Sequence, residues 1–362
     1  MDYQRLRSIE IKGYKSIKHQ KIPLRDMNVL IGQNGAGKTN FISLFKFLRN
    51  IIAGRLKNIS LTTGAEVFLY YGSKETQKIA IELDFDPNYY KIILQPAANK
   101  DILIVEFEHA GFLGRGYKDP YWDLIASSEE ESKLSIKAKN NPMARYVFNV
   151  LKEWRVYHFH DTSETAGVKK YSSMTDNKFL FENASNLAPF LYLLKLKHEV
   201  YYKRIVKTIQ LVIPFFKDFS LEPNPFNPEN IRLEWMDIYS DKTFTANELS
   251  DGSLRFICMA TLLLQEDLPK VILLDEPELG LHPSAITILS GLLKKASKRS
   301  QVIVSTQSVS LVNEFDAEDI IVVEKDKAET VFRRLDTANL ESWLDEYSMG
   351  ELWDKNILGG KP

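Results

Sequence analysis

A phosphate-binding loop pattern constrains the fold of this chain more than any other feature. The stretch NVLIGQNGAGKTNFISLFKFL, residues 28–48, contains Gly32-x-x-x-x-Gly37-Lys38-Thr39 between an apolar strand pattern and a run of apolar residues at helical spacing. Glycines let backbone N–H groups turn toward an anion, and a helix that begins there adds the positive end of its dipole. The pattern therefore predicts an α/β fold in which a strand leads into a nucleotide-binding loop.

The side chains of this loop predict how the nucleotide is held. Lys38 can reach the β- and γ-phosphates, and the Thr39 hydroxyl can ligate Mg²⁺. The nucleotide-binding residues that we expect in this segment are Gly32, Gln33, Asn34, Gly35, Ala36, Gly37, Lys38, Thr39 and Asn40.

A second apolar strand pattern, VILLDEPELGLHP at residues 271–283, ends in two carboxylates. A buried strand that delivers Asp275 and Glu276 to a phosphate site would place the first near Mg²⁺ and the second where it can polarise an attacking water. Such pairs also occur as helix caps or surface charges. The phosphate loop upstream is what favours the catalytic interpretation.

A second helix start suited to an anion follows Leu249-Ser250-Asp251-Gly252. The serine hydroxyl, the glycine amide and the helix N-terminus together favour phosphate binding. The chain has one phosphate loop but two such helix starts, so we expect the second to serve a nucleotide held by another molecule.

In this order, and with QVIVSTQS after them, the motifs resemble the ATPase head of ABC type in the SMC, RecF and OLD-like group, over nearly the whole chain. The resemblance implies an α/β P-loop NTPase of ABC type with a β-rich N-terminal lobe, a helical and strand insertion, and no long coiled coil. It implies ATP and Mg²⁺ as cofactors and a homodimer in which two heads enclose two ATP molecules. Ser250 and Gly252 would then cap the γ-phosphate held by the opposite head.

The resemblance also implies roles for individual residues. Glu276, Gln307 and Lys38 are the expected catalytic residues, and Thr39 and Asp275 the expected Mg²⁺ ligands. Lys15, in the segment GYKSI, is a further candidate nucleotide contact, although a surface lysine on an edge strand is the alternative.

Three positions bear on how closely the family pattern applies. Asp251 stands where the signature usually has glycine, and Gln307 stands where many ABC ATPases have histidine, so hydrolysis is expected to be slow or regulated. The glutamine of the family's Q-loop has two candidate positions, which are Gln95 in IILQP and the loop after HFHD.

The sequence divides into four predicted parts, namely an N-terminal ATPase lobe (1–110), an insertion with a helical segment (111–247), a C-terminal ATPase lobe (248–339) and a tail (340–362). Several strands are expected after the phosphate loop, EVFLYYG among them. Residues 110–145 have the polar character of a surface insertion. Apolar spacing from 187 predicts one helix that ends at Pro214.

Charge and cysteine content exclude some classes of protein. The formal net charge of −1 gives no global basic field, so contact with nucleic acid would depend on local clusters. The single cysteine, Cys258, lies in an apolar run and is expected to be buried. Without a signal-peptide or membrane-spanning pattern, a cytoplasmic location without membrane contact is expected. The local basic clusters that could contact nucleic acid are Lys133, Lys137, Lys139 and Arg145, and Lys294, Lys295, Lys298 and Arg299.

Three other functions fit the sequence less well than an ATP-gated switch does. The interval between Thr39 and Leu249 is too long and strand-rich for a compact transporter subunit. Heptads are too few for a chromosome-organising protein with long arms. The stretch after Gln307 is too short for a Toprim nuclease domain like that of the OLD group. We therefore expect a switch that controls a nucleic-acid-directed partner. The closing segment of the chain resembles the tails of prokaryotic ATPases encoded beside a small Toprim-like protein, often in phage defence, and this resemblance implies a separate Toprim-like nuclease in anti-phage defence. RecF-like DNA repair is the alternative.

The tail LESWLDEYSMGELWDKNILGGKP has two interpretations. Its large side chains would either fold back on the ATPase lobe or anchor a second protein while NILGGKP extends outward. These side chains are Trp343, Leu344, Tyr347, Leu352 and Trp353.

Overall fold

Two six-stranded sheets, a three-stranded sheet, a two-stranded sheet and the helices around them form the described part of the protein. A computed structural model describes residues 5–98, 100–335, 340, 343 and 345–360. The strands are β1 (Ser8–Tyr14), β2 (Ile17–Pro23), β3 (Met27–Ile31), β4 (Ile79–Asp84), β5 (Asn88–Pro96), β6 (Leu103–Phe112), β7 (Tyr121–Glu129), β8 (Trp154–Tyr157), β9 (Ser172–Ser173), β10 (Phe216–Ser220), β11 (Asn230–Ile231), β12 (Glu234–Asp237), β13 (Thr243–Thr245), β14 (Val271–Asp275), β15 (Gln301–Thr306), β16 (Ile320–Asp326) and β17 (Glu329–Arg334). The α-helices are α1 (Lys38–Ile52), α2 (Leu56–Thr63), α3 (Leu134–Lys137), α4 (Pro142–Leu151), α5 (Leu187–Lys197), α6 (Glu199–Val212), α7 (Asp251–Leu264), α8 (Pro283–Ser297), α9 (Val309–Val312) and α10 (Met349–Asp354). The two small sheets have the orders β10-β12-β13 and β11-β9.

The central sheet has the order β17-β16-β3-β15-β14-β8. Its strands are parallel except β17, which pairs antiparallel with β16. In β14, Ile272 and Leu274 enter one core while Val271 and Leu273 enter the other. Burial of both faces explains why these strands are continuous apolar runs instead of alternating ones.

The other large sheet is antiparallel, in the order β2-β1-β4-β5-β6-β7. Helix α1 lies between this sheet and one face of the central sheet, and side chains of all three share one core. Phe45 of α1 packs against Trp154 of β8 with ring centroids 4.9 Å apart. Helices α5 to α8 contribute to the core on the opposite face of the central sheet. The apolar spacing of α1 thus anchors the loop that precedes it.

The predicted α/β class and the absence of a long coiled coil are confirmed, because the longest described helices, α1 and α8, have 15 residues. The single helix predicted from 187 onward is two helices that meet at His198, and the second ends at Val212, just before Pro214. The segment EVFLYYG is not a strand, because Ala65–Phe68 form a 3₁₀ helix followed by turns.

Residues 110–145 contribute to the core more than their polar composition indicates. They supply the end of β6, the edge strand β7, α3 and the start of α4. Ile125, Leu134 and Ala144 are buried in the core beneath the antiparallel sheet. The four-part division of the chain stays a prediction. Among the described residues, no helix is long and apolar enough to cross a membrane.

Candidate nucleotide site

The phosphate loop follows the central strand β3 and opens into α1. Gly37 caps the helix in the left-handed region with φ 117°, and Gly35 has φ 77°. A Cβ at Gly35 would meet nothing within 4 Å, whereas a Cβ at Gly32 would lie 2.2 Å from the Val323 carbonyl oxygen. The first turn of α1 has no acidic residue, so no carboxylate there neutralises the positive end of the helix dipole. The loop is therefore packed on one side and open on the other.

Lys38 is held within this loop as a buried cation. Its side chain is only 5% exposed, and Nζ donates to the Gly32 carbonyl at 2.5 Å and to the Gln33 carbonyl at 3.0 Å. Burial lowers the pKa of Lys38, while the nearby Glu276 carboxylate acts in the opposite direction. The two carbonyls accept hydrogen bonds from the Lys38 ammonium without neutralising its positive charge, so that charge can still pair with a phosphate group.

Thr39 and Asp275 come together although they are far apart in the sequence. Thr39 Oγ1 lies 3.5 Å from Asp275 Oδ2. Strands β3, β15 and β14 are parallel neighbours, so their carboxyl ends meet at one edge. A hydroxyl and a carboxylate are oxygen ligands of the kind that Mg²⁺ prefers. With Lys38 and the open loop beside them, these residues fit a triphosphate with a divalent cation.

The expected catalytic pair is also in contact. The Gln307 side-chain amide donates to Oε1 of Glu276. Glu276 has a positive φ of 43°, and its N–H donates to the Ser305 carbonyl at 2.8 Å. The backbone of β15 thus fixes the turn that presents the Glu276 carboxylate, and Gln307 orients that carboxylate.

Glu278 is a residue of this site that the sequence motifs did not identify. It is 8% exposed, and the Thr306 hydroxyl donates to its Oε1. Its Oε2 is buried and has no hydrogen-bond partner among the described residues. Burial raises the pKa of Glu278. Its position two residues after Glu276 is the only signal in the sequence, and spacing alone does not show burial.

Thr330 of β17 supports the phosphate loop from beneath, again without a sequence signal. Its Oγ1 donates to the Ala36 carbonyl at 2.8 Å, and its N–H donates to the Ser16 carbonyl at 2.8 Å. A Cβ at Gly37 would lie 2.3 Å from Thr330 Oγ1. The glycine is therefore required for packing as well as for its backbone conformation.

The Ser250 segment begins α7, as expected. Ser250 is exposed, and its Oγ accepts from the Ser253 N–H at 3.2 Å. Arg255 donates to the carbonyls of Leu279 and His160, both at 2.9 Å, and so ties α7 to the loops after β14 and β8. Gly252 packs so closely on the Gly280 loop that a Cβ would lie 2.2 Å from the Gly280 carbonyl oxygen. The nucleotide contacts of Ser250 and Gly252 stay predictions.

The two candidate positions for the Q-loop lie in different sheets. Gln95 pairs with Ile104 in the antiparallel sheet. The loop after HFHD follows β8, which is parallel to β14, so it begins at the edge that carries Asp275. Burial lowers the pKa of His158, the first residue after β8, while Asp275 acts in the opposite direction. The loop after β8 begins at the edge with Asp275 but contains no glutamine, so the position of the Q-loop glutamine stays a prediction.

Lys15 lies in the turn between β1 and β2 and has φ 48°. Its Nζ donates to Ser43 Oγ of α1 at 2.9 Å, and burial lowers its pKa. Asn40 donates to Ser16 Oγ at 2.8 Å on the same side of the helix. The lysine is thus held against α1, and its contact with the nucleotide stays a prediction.

Two arginines of the basic clusters donate hydrogen bonds to backbone carbonyls of the same chain. Arg145 donates to the carbonyls of Ala138 and Lys139, and Arg299 donates to those of Gln265 and Glu266. Contact of these clusters with nucleic acid stays a prediction that depends mainly on their lysines.

Cys258 is confirmed as a buried residue. Burial raises the pKa of its thiol to about 12.

The described part of the tail folds back on the ATPase lobe. Trp353 is 3% exposed and Leu352 is fully buried, whereas Trp343 is 43% exposed. NILGG does not extend outward, because the Gly360 carbonyl accepts from the Gln33 N–H of the phosphate loop at 2.9 Å. The prediction that Trp353 anchors a second protein is therefore wrong, since its own core already covers it. Leu344 lies outside the described residues.

Comparisons with known proteins agree with this geometry. Residues 27–313 match the family described as "AAA domain, putative AbiEii toxin, Type IV TA system". The chain is 23% identical to the OLD nuclease of Thermus scotoductus over 96% of its own length and 68% of that protein. It is 24% identical to the Old nuclease of Escherichia phage P2, over 93% of its own length and 62% of that protein. A solved Smc head, bound to the C-winged helix domain of ScpA, is similar with a TM-score of 0.59 and 16% identity, over 92% of this chain and 99% of that chain.

Proposed function

The chain belongs to the AAA-domain family matched over residues 27–313 and is an ATPase related to OLD nucleases and SMC heads, and from this premise we propose that it is an ATP-gated switch. Two copies close around ATP and Mg²⁺ and thereby control a second, nucleic-acid-directed protein in the cytoplasm. The observation that carries the proposal is the contact between Gln307 and Glu276 beside the Thr39–Asp275 pair. In this arrangement the proposed phosphate-binding and water-activating groups lie at one edge of the sheet, which supports the proposal.

The residues of the site divide the proposed reaction between them. When bound, ATP would supply the phosphoanhydride bond that is cleaved, and Mg²⁺ held by Thr39 and Asp275 would neutralise charge on its phosphates. Lys38 offers a positive charge that remains uncompensated by an ion pair among the described residues. Glu276 accepts a proton from the attacking water, and Gln307 keeps that carboxylate oriented. Gln307 carries no titratable proton, so we expect slow or regulated turnover.

The proposed dimer explains the exposure of Ser250. Its hydroxyl and the free start of α7 lie at the surface, where a second copy can present a nucleotide. The OLD nuclease relatives support a nuclease as the controlled activity. This chain spans 68% and 62% of the length of those two proteins, and the nuclease that we propose as its partner is of the Toprim-like class. Anti-phage defence is the setting that we propose for this pair.

Two substitutions test the proposed site. Lys38→Ala should abolish ATP binding, because it removes the charge that compensates the phosphates before reaction starts. Glu276→Gln should leave binding intact and slow hydrolysis on the order of 100-fold or more, because it removes only proton transfer. Binding is measured by calorimetry and hydrolysis by phosphate release. Lys46→Ala, at an exposed lysine on the same helix, is the control.

Unchanged turnover by the Glu276→Gln protein would remove Glu276 from the catalytic role. ATP binding by the Lys38→Ala protein equal to that of the Lys46→Ala protein would sink the assignment of the phosphate loop.

A further inference from the structure

Residues 348–360, which we call the clasp, connect two parts of the nucleotide site. The first connection is through α10, which packs on α9. The Gly350 N–H donates to Asn313 Oδ1 at 2.6 Å. A Cβ at Gly350 would lie 2.7 Å from the Val309 carbonyl oxygen, so only glycine allows this approach. Helix α9 begins two residues after Gln307, so α10 rests on the segment that carries a predicted catalytic side chain.

The second connection is made where the chain turns back from α10. Leu358 is buried, and its carbonyl accepts from Arg333 Nη2 at 2.7 Å. Gly359 and Gly360 follow with φ 79° and 80°, in the left-handed region that favours glycine. The Gly360 carbonyl then accepts from the Gln33 N–H at 2.9 Å. Two consecutive glycines in this conformation reverse the chain onto the phosphate loop.

The contact is close enough to be sensitive to one methyl group. A Cβ at Gly360 would lie 2.9 Å from Val322 Cγ1 and 3.5 Å from the Cα of Gly32. The residue that Gly360 holds, Gln33, accepts a hydrogen bond from Lys38 Nζ through its own carbonyl. The clasp is therefore one residue away from the buried lysine.

We propose that the clasp is a positioning element of the nucleotide site, with Gly360 as its positioning residue. Its carbonyl fixes the Gln33 N–H, which keeps the start of the phosphate loop and the Gln33 carbonyl in place around Lys38. Through α10, the same segment also supports the backbone that follows Gln307. This inference rests on the proposed ATPase site and adds to it a group that no nucleotide-binding motif contains.

Three variants test the inference in the full chain. Termination after Leu358 removes the carbonyl of Gly360. Gly360→Ala keeps that carbonyl but adds a methyl group close to Val322. Arg333→Ala releases the Leu358 carbonyl without changing the loop or the clasp. The control is Gly116→Ala, because Gly116 has φ 88° and a Cβ there would meet nothing within 4 Å. It introduces similar backbone strain in the loop between β6 and β7, which contributes no residue to the nucleotide site.

Calorimetry with Mg-ATP, steady-state hydrolysis and thermal unfolding without nucleotide are the measurements. Loss of one hydrogen bond that orders the loop should raise Kd and KM by roughly 3- to 10-fold. The value of kcat should change much less. Kd is measured at a temperature where each variant is folded, since crowding against Val322 should lower the unfolding midpoint of Gly360→Ala further than that of Gly116→Ala. A merely structural role would leave the Kd of the folded fraction unchanged.

The inference is overturned if the truncated and Gly360→Ala proteins bind Mg-ATP as tightly as the unchanged chain, or more tightly. If these two proteins do not fold, Arg333→Ala decides by the same criterion. An unchanged chain that neither binds nor hydrolyses ATP would sink the proposed function itself, which is a different result from an active chain that is insensitive to the clasp.

Discussion

Glu278 shows how a single residue can place stability and function in opposition. Its carboxylate is buried near Lys38, and one of its oxygens has no partner among the described residues. An ionised group in such a place costs free energy unless it is paired. We expect that this cost is tolerated because the charge contributes to the electrostatics of the nucleotide site.

The substitution Glu278→Gln should therefore stabilise the protein without nucleotide at neutral pH. Because burial raises the pKa of Glu278 above the ordinary 4.5, the folded state binds the proton more tightly than the unfolded state. The contribution of Glu278 to stability is thus fully present below about pH 4.5 and is lost as the pH rises through the folded pKa. The gain from glutamine should be about 1–2 kcal/mol at pH 7.5 and should vanish near pH 4.

Urea unfolding from pH 4 to 8 measures this difference, with Glu222→Gln at an exposed site as the control. A Glu278→Gln protein that is less stable than the unchanged chain at pH 7.5 would contradict the expectation.

At the residue scale, the sequence identified groups whose chemistry is local. Lys38, Thr39 and Asp275 belong to motifs in which spacing along the chain already implies a role, and the structure brings these residues to one edge. Thr330 and Gly360 support the same loop from positions roughly 300 residues away in the sequence, as their partners show. No periodicity or motif encodes such contacts, because they depend on which strands become neighbours.

At the scale of elements, the contact between α7 and the Gly280 loop is among the closest in the site. A methyl group at Gly252 would lie 2.2 Å from the Gly280 carbonyl oxygen, so α7 or the loop must move. Gly252→Ala should destabilise the protein by about 1–3 kcal/mol, as overpacking does. Because that loop follows Glu276 in the chain, we also expect slower hydrolysis.

Gly291→Ala is the matched control, since Gly291 lies inside α8 and a Cβ there would meet nothing within 4 Å. It should be neutral or stabilising by up to about 1 kcal/mol, because alanine favours helix. Thermal unfolding and phosphate release compare the two proteins. Equal unfolding midpoints would show that the approach of α7 is not tight in solution.

The sequence predicted helices and strands correctly only where tertiary contacts did not decide the local conformation. The apolar spacing of 187–212 indicates helix correctly but does not show the break at His198, where the chain changes direction between α5 and α6. EVFLYYG has strand composition, yet Ala65 and Phe68 are buried in a 3₁₀ turn instead. Tertiary burial decides between these conformations, and composition does not report it.

At the scale of the whole molecule, the proposed dimer predicts complementation between two inactive proteins. Lys38→Ala disables one nucleotide site, and Ser250→Arg blocks the surface that would cap the site of the other copy. In a mixed dimer, one of the two composite sites retains both intact groups. Mixing should therefore restore hydrolysis at about one site in each mixed dimer, measured by phosphate release.

Each variant mixed with itself is the control for this experiment, and subunit exchange is verified by pulling down one tagged variant with the other. If exchange occurs and hydrolysis does not return, the site is not shared between chains.

The position of β3 in the central sheet sets the moment in synthesis at which the protein acquires its activity. Both neighbours of β3, the strands β15 and β16, begin only at Gln301 and Ile320. Until the ribosome has made them, the Gly32 turn lacks the Val323 carbonyl against which it packs. We expect ribosome-bound chains stalled before residue 320 to retain no photoreactive ATP, and the released full chain to be labelled. A chain with this strand order cannot bind ATP, or dimerise through ATP, until most of it has been translated.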